Sequence, residues 1–240
     1  MKRKIITTAD GSKTIQIEDW NEQYHSMHGA IQEAKHVFIK HGLHHVCHFD
    51  NNIVDMEEPQ QEISVLEIGF GTGLNAFITC LEAVNLKFKI NYVGVEAYPV
   101  SLDEIHQLNY AEQLGVSNTL FSNIHNCSWE KVHEIHSKFS LTKQQKYFKD
   151  ISEKNAFNLI YFDAFGARVQ PELWTESIFK TMYKALKYKG VLVTYSAKGS
   201  VRRALQSVGF VVERLVGPPG KREMLRATKG FEQLNFRMLF

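Results

Sequence analysis

The chain has 240 residues, 44% of them apolar and 22% charged, with a formal net charge of +2. That length can bury a substantial core in one α/β domain with a small addition, and the near-neutral balance excludes nucleic-acid binding through global basicity, leaving only a local patch. The three cysteines, Cys47, Cys80 and Cys127, form no C-x-x-C pair, which argues against a disulfide framework or structural zinc. The basic start is followed by polar residues and no run reaches membrane length, so the expected location is the cytoplasm, with no membrane partner.

Residues 1–20 alternate in polarity around Asp10-Gly11-Ser12, which predicts a β-hairpin. Residues 24–38 have helical spacing, with Ala30, Ala34, Val37 and Phe38 on one face. Residues 1–55 are read as an N-terminal extension packing beside the main sheet, and the polar, acidic stretch 51–61 as the connector to a second unit, residues 56–240. His41, His45 and His48 have spacings that place them near one helical face. Gly42 weakens that helix and no H-E-x-x-H pattern completes a site, so no metal is expected there.

From Ile63 the pattern becomes strand, helix, strand, helix, which predicts a parallel sheet with helices on both faces. The apolar run 63–68 breaks into glycines at 69, 71 and 73, and helical spacing follows over 74–84. Such glycines let the backbone approach a ligand closely, beside the free N–H groups of a helix start. The spacing is G-x-G-x-G and not the G-x-G-x-x-G of dinucleotide sites, and no lysine completes a triphosphate loop. Glu67 precedes the glycines, and Glu96 follows the second apolar run, where a carboxylate can take both ribose hydroxyls. This pattern resembles the first motif of S-adenosylmethionine-dependent methyltransferases.

A helix is expected from about 99 to 114, closed by Gly115, then another over 129–139. A third strand is expected over 139–148, ending at Lys149-Asp150, which would put Asp150 at the sheet's carboxyl edge near an adenine; a solvated helix cap is the other reading of that acid. The run 158–162 ends at Asp163 and is read as strand four, lying beside strand one so that Asp163 faces the glycine loop. A helix over 171–186, strand five over 190–196, a helix over 200–208, strand six over 210–216 and an antiparallel last strand over 221–227 complete the reading. The fold class is therefore a doubly wound, Rossmann-like α/β sheet of seven strands, the last antiparallel, with a small α+β extension.

With these elements in view the chain resembles the methyltransferase domain of the tRNA 5-methylaminomethyl-2-thiouridine family, MnmC. The resemblance covers most of the chain. It rests on Tyr24-His25-Ser26 followed by Gly29-Ala30 and residues 33–38, on Gly69-Phe70-Gly71-Thr72-Gly73-Leu74-Asn75, and on Phe162-Asp163-Ala164-Phe165 followed by Pro171-Glu172-Leu173-Trp174. Tyr195-Ser196-Ala197, Val201-Arg202-Arg203, Gly209-Phe210 and Lys221-Arg222-Glu223-Met224 extend it. One departure is Gly166-Ala167-Arg168, where family members often carry proline. The resemblance implies S-adenosylmethionine-dependent N-methylation of the aminomethyl group on the wobble uridine of tRNA, docked at its anticodon region. A flavin oxidase domain follows in some members; here only the methyl-transfer half is expected, with a separate enzyme supplying the aminomethyl group.

In that frame Asp163 is expected to orient the amine and take its proton, with Tyr195 as a second orienting group. Glu67, Gly69, Phe70, Gly71, Gly73, Asn75, Glu96, Asp150 and Asp163 are the expected cofactor set. Tyr195, Arg202, Lys221, Arg222 and Glu223 are the expected substrate set, with Lys198, Arg203 and Arg226 as further phosphate-gripping candidates. The competing readings are a small-molecule methyltransferase or aminopropyltransferase, and a non-catalytic RNA-binding scaffold with a vestigial fold.

Overall fold

The computed structural model describes residues 2–51 and 62–230, and of residues 48–51 only the backbone. The hairpin forms as expected: β1 (Arg3–Thr7) pairs antiparallel with β2 (Lys13–Ile17), and a short β3 (Glu22–Gln23) adds to β2. The helix begins later than its periodicity suggests, at α1 (Ala30–Ala34), and continues through a π-helical stretch, Lys35–Leu43, into α2 (His44–Asn51). Gly42 explains its seat on the sheet, since a Cβ there would lie 3.0 Å from Val193 and 3.2 Å from Tyr161. The glycine that weakens the isolated helix is what lets the helix approach the strands. The connector expected over 51–61, after its first residue, and the boundary at 55 lie outside the described residues.

The main sheet holds β4 (Glu62–Ile68), β5 (Lys89–Val95), β6 (Val132–His136), β7 (Phe139–Gln144), β8 (Phe157–Phe162), β9 (Leu186–Thr194), β10 (Phe210–Val216) and β11 (Glu223–Lys229). Their order is β10-β11-β9-β8-β4-β5-β7-β6. The central pairs β9-β8, β8-β4, β4-β5 and β5-β7 are parallel, and β11 runs antiparallel to both its neighbours. Strand four beside strand one, and an antiparallel last strand, match the sequence reading. The topology reverses at β4, so ligands are expected at the carboxyl ends of β4, β5 and β8.

Two expectations are corrected here. Residues expected to be helical over 129–139 instead form β6, an antiparallel edge strand on β7, giving an eight-stranded sheet. Its outward side chains are exposed, and five half-wet residues carry too short a pattern to separate period 2 from period 3.6. β7 stops at Gln144, so residues 148–150 form a 3-10 turn and Asp150 is exposed, away from the strand tip.

Helices α3 (Leu74–Ala83) and α6 (Thr119–Asn126), together with the N-terminal helix, share one core with one face of the sheet; α7 (Glu176–Ala185) and α8 (Gly199–Ser207) share the other. The expected helix over 99–114 is split into α4 (Leu102–Ile105) and α5 (Tyr110–Gln113). Ser101 and Glu104 form a reciprocal capping box at the start of α4.

His41 packs on His36 with ring centroids 4.8 Å apart, and burial pushes its pKa down to about 4. His44 meets Glu82 at 3.2 Å. Among the described residues no three histidine, cysteine or acidic side chains gather as a metal site, and the His48 side chain lies outside them. No described helix is long and apolar enough to cross a membrane.

Candidate active site

At the tip of β4 the chain turns sharply. The N–H groups of Gly69 and Phe70 both donate to the Val95 carbonyl at 3.0 Å, and Asp163 N–H donates to the Ile68 carbonyl at 2.9 Å. Gly69, Gly71 and Gly73 all have positive φ, at 89°, 50° and 71°. A Cβ on Gly69 would stand 2.7 Å from the Asp163 carbonyl oxygen, so glycine lets the loops after β4 and β8 touch. Phe70 fills the space left by Gly94, whose Cβ would fall 2.3 Å from its ring.

Three polar side chains are coupled beneath this loop. Asn75, in the first turn of α3, donates one amide hydrogen to Glu67 Oε1 at 2.9 Å and the other to Asp163 Oδ2 at 2.8 Å. Glu67 is fully buried, and burial pushes its pKa well above the usual value; Asn75 opposes the shift and the nearby Asp163 charge adds to it. Asp163 is pushed up to about 7, first by burial and then by the charge of Glu33, against the pull of Asn75 and Lys221. At the tip of β5, Glu96 accepts from Gly71 N–H at 3.1 Å and from Tyr98 N–H at 3.0 Å.

The rest of the wall comes from the N-terminal segment. Tyr24 packs edge-on to Phe165 at 4.8 Å, and Trp20 does so at 5.7 Å. Arg168, in the loop after β8, donates to Glu22 at 2.6 Å and to the carbonyls of Trp20 and Asn21 at 3.2 and 3.3 Å. His25 bridges Thr14 at 3.0 Å and Thr72 at 3.4 Å, and burial lowers its pKa to about 4, so it is neutral. Glu33 on α1 accepts from Ser26 N–H at 3.0 Å and pairs with Lys221, whose ammonium sits 3.9 Å from the Tyr195 ring centroid. The Tyr195 hydroxyl donates to the Ala164 carbonyl at 2.8 Å, tying the Asp163 loop to the end of β9.

These walls enclose a cavity of about 1020 Å³. That stands at the top of the range of about 300–1,000 Å³ for small-molecule sites. Of the expected residues Gly69, Phe70, Gly71, Asn75, Glu96, Asp163, Tyr195, Lys198 and Lys221 line it. Glu67 lies behind the wall and reaches it only through Asn75, while Gly73 faces His125, whose Nε2 would stand 2.8 Å from a Cβ at that position.

Asp150, Arg202, Arg222 and Glu223 do not line the cavity, which corrects their expected placement. Asp150 falls in the turn after the shortened β7, and Arg202 on α8. Arg222 is exposed in the turn before β11, and Glu223 pairs with Arg214 at 3.6 Å. Arg226 likewise pairs with Glu213 at 2.9 Å. Sequence reasoning misses the roles of Tyr24, His25, Glu33 and Arg168. One signal for Glu33 is present: three residues after Ala30 and four before Val37, it places a carboxylate on the apolar face of the helix.

The glycine turn, the paired acids at the tips of β4 and β8 and the acid at the tip of β5 define a class. The chain belongs to the S-adenosyl-L-methionine-dependent methyltransferase family, whose model matches residues 95–230. It is similar to the tRNA 5-methylaminomethyl-2-thiouridine biosynthesis bifunctional protein MnmC of Hydrogenovibrio crunogenus, 27% identical over 235 residues, covering 93% of this chain and 33% of that protein. The protein of the same description from Leptospira interrogans is 28% identical over 218 residues, covering 87% and 32%. The chain thus spans about a third of the length of these curated relatives. Its fold is similar to the crystal structure of MnmC2 from Aquifex aeolicus, with a TM-score of 0.72 and 26% identity over 94% of this chain and 69% of that one.

The residues present fit the family's donor. Asn75 Oδ1, on the cavity wall beside the glycine turn, is a buried polar atom without a protein partner, and native proteins rarely leave such atoms unsatisfied. Gly69 and Gly71 bring bare backbone to the cavity wall, and Glu96 stands at the β5 tip.

Proposed function

We propose that this chain methylates the primary amine of an aminomethyl group on the wobble uridine of tRNA. One observation carries the reading: Asp163, fixed by Asn75 on the wall of a cavity of about 1020 Å³, has a carboxyl group poised near neutrality. The names of the similar proteins, which concern 5-methylaminomethyl-2-thiouridine in tRNA, supply the substrate.

Gly69, Gly71, Asn75 and Glu96 would hold the donor, with Glu67 acting through Asn75. When bound, S-adenosylmethionine supplies an electrophilic methyl group on a sulfonium. The chain's own work is then to align the amine and keep it neutral. A primary amine is mostly protonated near neutral pH, so the ionised Asp163 accepts its proton, and a carboxyl group that titrates near 7 is matched to that task. Tyr195 contributes its ring face, since its hydroxyl is engaged with Ala164. Exposed Lys149 and Lys198 on the rim are placed to meet phosphates of the flanking nucleotides. The setting proposed is the cytoplasm, with the aminomethyl group made by a separate activity.

The test is mass spectrometry of nucleosides from tRNA carrying 5-aminomethyl-2-thiouridine, incubated with the protein and donor. Gain of one methyl on the wobble uridine is expected. Methylation of free small amines alone would favour a small-molecule enzyme, and no transfer together with no S-adenosylhomocysteine binding would favour a scaffold.

A further inference from the structure

Lys221 occupies an unusual place for a basic residue at the mouth of an RNA-binding site. Its ammonium turns inward and pairs with Glu33, lying against the face of Tyr195 at 3.9 Å, on the wall that also carries Asp163. Glu33 itself is 7% exposed, and its other oxygen is held by Ser26 N–H. A carboxylate beneath and an aromatic face beside make a seat for a cation. The end of a lysine, CH2–NH3+, is chemically the same group as a protonated aminomethyl substituent. Lys221 follows the turn Gly217-Pro218-Pro219-Gly220, and its side chain is 30% exposed, so it can leave outward.

We propose that Glu33 is the second carboxylate of the acceptor site, seating the substrate's ammonium at the position that the Lys221 ammonium takes in this structure. The inference rests on the aminomethyl reading above and names how that amine is recognised. Glu33 holds the incoming ammonium against Tyr195, Lys221 swings out, and one proton passes from the ammonium nitrogen to Asp163, leaving a neutral amine and a neutral carboxylic acid. Glu33 is thus a positioning residue for the amine, and Lys221 is a placeholder that spares Glu33 an unpaired buried charge.

The groups facing Asp163 are Asn75 on α3, Glu67 on β4, Tyr92 on β5, Glu33 on α1, Lys221 before β11 and Tyr195 after β9. Glu33 raises the Asp163 pKa and Lys221 lowers it. Glu33→Gln should therefore move the acidic limb of the kcat/KM profile to lower pH, and Lys221→Met should move it to higher pH. Any charged pair beside Asp163 would give these opposite shifts, so they report proximity to Asp163, and the seat itself is tested by binding of the aminomethyl group.

The deciding measurement is fluorescence anisotropy with S-adenosylhomocysteine present, comparing tRNA that carries the aminomethyl group with the same tRNA lacking it. Wild type is expected to prefer the aminomethyl form by about tenfold, the scale of one charge-assisted hydrogen bond. Glu33→Gln should lose that preference, with S-adenosylhomocysteine affinity and binding of the unmodified tRNA unchanged. A preference that survives Glu33→Gln overturns the seat. If Glu33→Gln fails to fold, Lys221→Met decides: removing the competitor should increase the preference, and an unchanged or reduced preference overturns the inference. Absence of methylation by wild type would sink the functional reading itself, which the nucleoside assay reports separately.

Discussion

The cavity has two halves of different origin. One is the carboxyl edge of the sheet, where Gly69, Asn75, Glu96 and Asp163 stand within a few residues of strand tips. The other is the wrap of the N-terminal segment, with Tyr24, His25 and Glu33, closed against the loop after β8 and the turn before β11. The first half is set by sheet topology and suits a donor shared across a whole family. The second is built from contacts between distant segments, and its aromatic faces and Glu33–Lys221 pair suit a particular acceptor. On the proposed function the sheet edge would serve the donor and the wrap the acceptor, the two meeting at Asp163.

The comparison breaks most severely at the sheet edge. Gly69→Ala places a Cβ against the Asp163 carbonyl at a φ of 89°, so calorimetry should show S-adenosylhomocysteine affinity reduced by more than about tenfold. Retained affinity would mean that the loops after β4 and β8 need not touch.

Asn75→Leu, similar in size, leaves two buried carboxyl groups without their shared donor. Urea unfolding should register a loss of about 1–3 kcal/mol. A change within error would show that the Asn75 bridge is dispensable.

The pH dependence sharpens the contrast further. Asp163 titrates near 7 in the folded chain against 3.8 for the ordinary value, so its favourable contribution is complete at low pH and is lost as pH rises through 7. Glu67, also raised, acts in the same direction. His25, His41 and His125 are lowered to about 4, 4 and 3, so their effect runs the other way, rising with pH up to and somewhat beyond the ordinary histidine value of 6.5. Between about pH 4 and 7 the two sets oppose each other, so the difference between wild type and an Asp163→Asn variant isolates the carboxyl group. Melting temperature of the ligand-free wild type, taken relative to that of Asp163→Asn, should fall as pH rises from about 4 to 7. An identical slope in the variant would remove Asp163 as a source.

The smallest effect is expected at the seam between the halves. Arg168 is an exposed partner of Glu22, so Arg168→Ala should change global stability by less than about 1 kcal/mol. Amide exchange over residues 165–170 should nonetheless quicken, because two backbone carbonyls and one carboxylate lose their donor together. Unaltered exchange would show that the roof holds without the arginine.

The difference between the halves also explains what the sequence makes legible. Apolar runs ending in Gly69, Glu96 and Asp163 disclose both the strand order and the donor edge, because strand tips at a topological reversal are local features with a fixed meaning. Asp150 misleads because β7 ends at Gln144, with a 3-10 turn intervening before the acid. β6 misleads because a short, half-exposed edge strand has no decisive period. Arg202, Arg222 and Glu223 group with Lys221 by charge and chain position, yet only Lys221 of that set turns into the cavity. Phe165 against Trp20, and Lys221 against Glu33, join residues more than a hundred positions apart, and no periodicity records such pairings.

The central claim is that a nitrogen nucleophile is deprotonated by the acid at the tip of β8, and single-turnover transfer by Asp163→Asn tests it most directly. With calorimetry confirming that S-adenosylhomocysteine still binds, the rate of methylation of aminomethyl-bearing tRNA should fall by about 10²–10⁴-fold. A near-normal rate in that variant would contradict the account.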